Sequence, residues 1–253
     1  MTFSSLKKTL KPTLKVFTRE LQIKVLSSPK DFLVFSYPRS GTNYVRFLLA
    51  NYLKNLNGDP NPVFFGDEIN RIIPFWTPTH SIYMPNVRLG ITHRPPQKWD
   101  QPKHISVFRN PRDVLISFYV YKQKKEKKNY SSFSSFVRSP EGAPLLEKSS
   151  QKALNNSHLL TKYEDISHDP ASFIFQFCDL LNIHWDREAA AQSIINSDRD
   201  VIMRQEKKFR ENHETLISNP HSKEHVSPSL DDLKYIEQTC KSTISFFNYQ
   251  VSA

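Results

Sequence analysis

Residues 31–36 read Asp-Phe-Leu-Val-Phe-Ser, a short apolar run closed by Tyr37-Pro38, and this pattern predicts a strand buried on both faces. Helical spacing follows at once. Tyr44, Phe47, Leu48, Asn51 and Tyr52 recur at helical intervals on one face, so strand, turn and helix open a βα unit whose loop spans residues 38–42. The pattern then repeats. Residues 104–108 predict a second strand, 109–113 a turn and 114–121 the helix that leaves it; residues 157–162 predict a third, weaker strand before Tyr163-Glu164-Asp165. Residues 170–181 form an amphipathic, Phe-rich helical pattern, and residues 230–247 a terminal one. This alternation predicts an α/β three-layer fold: a mostly parallel central sheet flanked by helices, with ligands bound at the carboxyl ends of the strands.

Composition narrows the picture without choosing a function. The chain has 253 residues, 38% of them hydrophobic and 12% aromatic, which is enough to bury a sizeable core and excludes intrinsic disorder. With no internal repeat and only five glycines, residues 31–253 are expected to form a single domain behind a basic segment, 1–30, expected to be helical. That segment lacks the apolar core and cleavage site of a secretory signal; a transit peptide, a membrane-surface helix and a helix packed on the domain all suit it. No stretch nears the roughly 20 apolar residues of a transmembrane helix, so a cytoplasmic protein is expected. Cys178 and Cys240 are too few and too far apart for a thiolate zinc site or a disulfide framework, and reduced thiols are expected. A net charge of +10 implies an anionic partner, which could be nucleic acid, acidic lipid, acidic glycan or a nucleotide. The motifs of nucleic-acid modules are missing, so none is expected as a partner. The densest cationic run, Lys122, Lys124, Lys125, Lys127 and Lys128 around Glu126, reads as a solvated loop.

Candidate chemistry concentrates at the end of the first strand. Ser40, Gly41 and Thr42 at the start of a helix offer backbone N–H groups, two hydroxyls and the positive end of the helix dipole, a P-loop-like cradle for phosphate or sulfate. Arg39 adds a fork of permanent cationic donors. In isolation the same three residues also suit a plain helix cap. The nucleotide motif GxxxxGK(S/T) is absent, which disfavours a magnesium-dependent kinase, and no metal is expected.

The residues 37–44, Tyr-Pro-Arg-Ser-Gly-Thr-Asn-Tyr, resemble the 5′-phosphosulfate loop of sulfotransferases that use 3′-phosphoadenosine 5′-phosphosulfate (PAPS), commonly YPKSGTTW. Residues 109–117, Arg-Asn-Pro-Arg-Asp-Val-Leu-Ile-Ser, resemble the same family's 3′-phosphate motif, in the expected order about 70 residues on. Tyr163-Glu164-Asp165-Ile166 resembles a third family segment, and Thr92-His93 the stretch carrying the family's catalytic histidine. The resemblance implies sulfuryl transfer from PAPS to an acceptor hydroxyl or amine, with release of adenosine 3′,5′-bisphosphate (PAP). It implies that Arg39 meets the bridging oxygen, that Ser40, Gly41, Thr42 and Asn43 bind the 5′-phosphate, and that Tyr44 and Tyr163 flank adenine. Arg109 and Ser117 would hold the 3′-phosphate, and His93 would take the acceptor's proton. The acceptor is expected to be a small molecule or a saccharide.

The chain also departs from the family pattern. Ile91 stands where the family often has lysine, and Arg39 replaces the loop lysine. The late Arg-Lys-Gly segment has no match, so Lys207, Lys208 and Arg210 are candidate substitutes. His80 and His104 rival His93; Phe65, Phe75 and Trp76 are candidates for an acceptor wall. These departures keep open a non-catalytic nucleotide- or acidic-polymer-binding module, with a nucleotide kinase as a third reading.

Overall fold

The computed structural model describes residues 31–75, 79–126, 130–210 and 226–250. The expectations for residues 1–30, Trp76, Lys127 and Lys128 lie outside these. In chain order the strands are β1 (Phe32–Ser36), β2 (Thr79–Ser81), β3 (Met84–Thr92), β4 (Lys103–Phe108) and β5 (Leu159–Lys162). The helices are α1 (Thr42–Leu56), α2 (Asp67–Ile72), α3 (Pro111–Lys125), α4 (Phe133–Arg138), α5 (Ala143–Asn156) and α6 (Tyr163–His168). They continue with α7 (Pro170–Leu181), α8 (Arg187–Asn196), α9 (Arg199–Arg210), α10 (Leu230–Thr239) and α11 (Lys241–Phe247).

β1 lies at the centre of a sheet of order β2-β3-β1-β4-β5, parallel throughout except for the β2 edge. All five of its residues are buried, because a strand between parallel neighbours with helices on both sides has no solvent face. Successive side chains then serve different layers. Phe32 and Val34 join the core under α1, α7 and α8, whereas Phe35 packs with Phe108, Val114, Phe136, Leu146 and Ile236 on the other face. The start of β1 is tied to β3 by Asp31, whose carboxylate accepts from Arg88 Nε at 2.8 Å and Nη2 at 2.5 Å.

Four local features differ from the sequence pattern. Residues 84–92 form a strand that the sequence pattern concealed, because Pro85, Asn86, Arg88 and Gly90 interrupt the apolar run; pairing of Leu89 to Thr92 with β1 decides it. The terminal helical pattern is two helices meeting at Cys240, since the Glu147 carboxylate accepts from Ser242 N and Thr243 Oγ1, each at 3.1 Å, and so starts α11 afresh against α5. The lysine run is no loop at its start: Lys122 is buried on α3 and pairs with Glu126 at 2.7 Å and Glu141 at 3.3 Å. That helix also begins earlier than its apolar pattern does. Asn110 accepts from Arg112 N at 3.0 Å and Pro111 occupies the first turn, so residues 111–113 of the expected turn are helix.

Candidate active site

Four parallel strands end on one side of the sheet, and each end delivers a residue to one cavity of about 730 Å³. Arg39 to Tyr44 follow β1, His93 follows β3, Arg109 follows β4 and Tyr163 follows β5. Arg39 and Tyr163, 124 positions apart, therefore line one cavity because the strands run in parallel.

The β1–α1 turn reverses through two left-handed residues, Arg39 with φ 75° and Gly41 with φ 92°. Glycine is required at the second: a Cβ there would overlap the ring of Tyr163, which packs directly on the turn. Among the described residues no side chain caps α1, so its first amides face the cavity with the positive end of the helix dipole. Thr42 Oγ1 shares a 2.6 Å hydrogen bond with Ser36 Oγ, which fastens the turn to its strand. Gly41, Thr42, Asn43 and Tyr44 line the cavity; Ser40 is buried beneath it and its N–H donates to Tyr37 O at 3.0 Å.

Arg39 is held from α3. Its Nε donates to Ser117 Oγ at 3.1 Å and its guanidinium stands 5.5 Å from the Tyr121 ring centroid. Burial lowers its pKa from the usual 12.5, with Arg109 acting in the same direction, yet it remains a cation at neutral pH. Arg109 Nη1 donates to Arg39 O at 3.3 Å, its guanidinium lies 4.8 Å from the Tyr163 ring centroid, and its buried Nε has no hydrogen-bond partner among the described residues. Tyr163 and Tyr44 meet edge to face at 6.0 Å. A buried guanidinium nitrogen without an acceptor, beside an uncapped helix start, makes this end of the cavity ready for an anion.

His93 lies opposite. Its Nδ1 is 2.6 Å from Ser36 O, and because a carbonyl only accepts, Nδ1 carries the proton and Nε2 is the basic nitrogen. Burial is the main influence on its pKa and lowers it below the ordinary 6.5; the Ser36 bond opposes this. The imidazole is therefore neutral at pH 7. Phe75 stands 5.8 Å away and is pinned from below by Arg46, whose buried guanidinium lies 4.5 Å from the Phe75 centroid and donates to Ile73 O at 2.6 Å and Asn70 Oδ1 at 2.5 Å. The sequence reading missed this support.

Several other candidates lie away from the cavity. His104 is near the start of β4, at the opposite end of the sheet, where it is buried 3.6 Å from Asp100. His80 lies on the β2 edge. Phe65 stacks between Phe47 and Phe209 rather than on the wall. Ile91 is wholly buried in the core, so no cation occupies that position. Lys207 and Lys208 are exposed on α9 away from the cavity, and Arg210 ends that helix. Instead Arg199, Ile202 and Met203 of α9 line the rim, a spacing of one helical face. Phe118, Tyr121 and Lys122 of α3 and Glu126 at its end complete the wall. Of these, Tyr121 was legible in the sequence, since it follows Ser117 by four positions on one helical face. Among the described residues no cluster of three or more His, Cys, Asp or Glu side chains could hold a metal.

Residues 29–231 match a family model described as a sulfotransferase domain. Sulfotransferase 4A1 of Mus musculus is 24% identical over 193 residues, covering 69% of this chain and 67% of that protein. Sulfotransferase 2B1 of Rattus norvegicus is 32% identical over 101 residues, 36% of this chain and 29% of that one. Among solved structures, retinol dehydratase in complex with androsterone and PAP superposes with a TM-score of 0.61 at 18% identity, covering 90% of this chain and 85% of that chain. Mouse sulfotransferase SULT7A1 complexed with PAP gives 0.54 at 15% identity, covering 86% and 84%.

Proposed function

Since the chain belongs to the sulfotransferase family, by a match that spans residues 29–231, we propose that it moves a sulfuryl group from PAPS to an acceptor hydroxyl, or an amine, with His93 as general base. One observation carries the reading: a neutral imidazole, oriented by Ser36 O at 2.6 Å, shares a cavity with the uncapped start of α1 and with Arg39. The α1 amides, Thr42 and Asn43 would hold the 5′-phosphate, Arg109 and Ser117 the 3′-phosphate, and Tyr44 and Tyr163 would flank the adenine. The fit rests on this chain's own features: the partnerless Arg109 Nε, the glycine that lets Tyr163 close on the turn, and the free dipole end. Bound PAPS supplies an activated sulfuryl group whose departure leaves negative charge on the bisphosphate. Arg39 would oppose that charge, and Nε2 of His93 would take the acceptor's proton.

Phe75, Phe118 and Tyr121 make the remaining wall aromatic, and Lys122, the wall's lysine, is already engaged by Glu126 and Glu141. This supports a small acceptor with an apolar body over an acidic saccharide; retinol and androsterone, bound by the dehydratase of the same fold, have that character. Free, buried Cys178 and Cys240 suit a reducing compartment, and the proposal includes a cytoplasmic location. The test is to supply purified protein with PAPS and a panel of phenols, apolar alcohols and glycans and to measure PAP release. Transfer to an apolar alcohol or phenol is expected. Tight PAP binding with no transfer to any acceptor would favour the non-catalytic binding module, the reading to which the buried Ile91 points.

A further inference from the structure

Two residues next to the proposed cofactor contacts are hydrogen-bonded to each other and to the end of the chain. Asn110, which follows Arg109, donates its backbone N–H to Glu164 Oε1 at 3.0 Å; Glu164 follows Tyr163. The other oxygen, Glu164 Oε2, accepts from the Tyr249 hydroxyl at 3.1 Å, and Asn110 Nδ2 donates to Gln250 O at 2.8 Å. A single carboxylate and a single carboxamide therefore join the β4–α3 turn, the β5–α6 junction and the segment beyond α11.

That segment is built to return to the turn. Asn248 takes a left-handed conformation at φ 53°, which asparagine tolerates, and Tyr249 N–H donates to Ile244 O at 3.1 Å. The Phe247 ring then lies 4.8 Å from that of Phe108, the last residue of β4, and 5.7 Å from that of Tyr249. Arg109 itself is loosely held. It has one 3.3 Å bond to Arg39 O, a 3.9 Å approach to the half-exposed Asp113, and the Tyr163 ring beneath it. Its aim depends on where its backbone and that ring are set, and the Asn110–Glu164 bond sets both.

We propose that residues 247–250 act as a strap on the cofactor site, with Tyr249 and Glu164 as positioning residues that hold Arg109 and Tyr163 in register for a 3′-phosphorylated adenine nucleotide. This rests on the reading of Arg109 and Tyr163 given above. Tyr249 keeps its proton at working pH, because burial and the neighbouring Glu164 carboxylate raise its pKa, so it remains a donor.

Tyr249→Phe removes one hydroxyl and leaves the ring packing. Calorimetry of the variant should show PAP affinity reduced by about threefold to tenfold, with 5′-AMP affinity reduced less, so that the preference for the 3′-phosphate shrinks. The acceptor KM and the melting temperature should stay near wild type. Glu164→Gln should weaken PAP in the same direction, and combining it with Tyr249→Phe should cost less than the two losses together, since both break one bridge. PAP affinity within twofold of wild type in both single variants overturns the strap, as does an equal loss for PAP and 5′-AMP accompanied by a fall in melting temperature. If the unmodified chain fails to bind PAP, the functional reading falls and the strap with it; if the unmodified chain binds PAP and the variants match it, the strap alone falls.

Discussion

Arg39 and His93 share a cavity, but different neighbours set their chemistry. Arg39 is strained at φ 75° and braced by Ser117, an arrangement suited to a group that must meet charge developing on a leaving phosphate. Arg39→Ala should lower the transfer rate more than it weakens PAP binding, while Arg39→Lys should retain activity; measuring kcat and PAP affinity side by side checks this. An equal loss of both would make Arg39 a ground-state clamp. His93→Ala should leave PAP affinity intact and slow transfer to a poorly acidic alcohol by about 10²- to 10⁴-fold, with a smaller deficit for an acidic phenol. The depressed pKa of His93 places the acidic fall in activity below its ordinary 6.5, so the rate should be level through neutrality and decline on further acidification. A limb centred above pH 7 would contradict the buried, neutral imidazole.

Helix starts control how these residues are presented. Ser229 and Asp232 form a capping box on α10, and the Asp232 carboxylate also accepts from Ser134 Oγ at 2.6 Å and from Arg138, joining α10 to α4. Burial opposes ionisation of Asp232, but these bonds outweigh it and hold the pKa at about 2. Asp232→Ala should therefore destabilise the fold by about 1 to 3 kcal/mol, read as a lower denaturant midpoint. The sign for pH follows from a folded pKa below the unfolded 3.8: the contribution is complete above that value and is lost as pH falls towards 2. In the Asp232→Ala variant that acid-sensitive component should disappear. Both βα junctions were legible as elements because an apolar run, a turn residue and a helical period follow one another without interruption. The break at Cys240 was not legible, because the acceptor that starts α11 is Glu147, almost a hundred positions away.

Across the molecule, the candidate site and the His104 cluster lie at opposite ends of the same sheet. Under the β3–β4 connection, Asp100 accepts from Arg94 at 2.7 and 2.8 Å and approaches His104 at 3.6 Å. Burial dominates at His104 and brings its pKa down to about 4, with Asp100 pulling upward. A histidine that is neutral when folded and protonated when unfolded withdraws stability as pH falls from 6.5 towards 4. Thermal midpoints should decline over that window, and His104→Gln should flatten the decline while leaving the acceptor specificity unchanged. An unaltered slope in that variant would assign the acid lability to other groups.

By itself the sequence determined the three-layer α/β class, the β1–turn–α1 and β4–turn–α3 units, and the pairing of two strand-to-helix turn motifs that resemble those of the sulfotransferase family. These are properties of neighbouring residues: a buried run, a glycine where φ must be positive, an asparagine and proline where a helix begins. Tertiary structure decided β3, whose Pro85 and Gly90 hide a strand that only pairing with β1 stabilises. It decided which nitrogen of His93 is basic, through a carbonyl 57 positions away, and it gave Lys122 two carboxylate partners where its own run suggested a solvated charge. It also brought Arg199 to the rim and Tyr249 to Glu164. Hydrogen bonds and ion pairs act over a few ångströms whatever the separation along the chain, so local periodicity carries no record of them until the parallel strands bring their ends together.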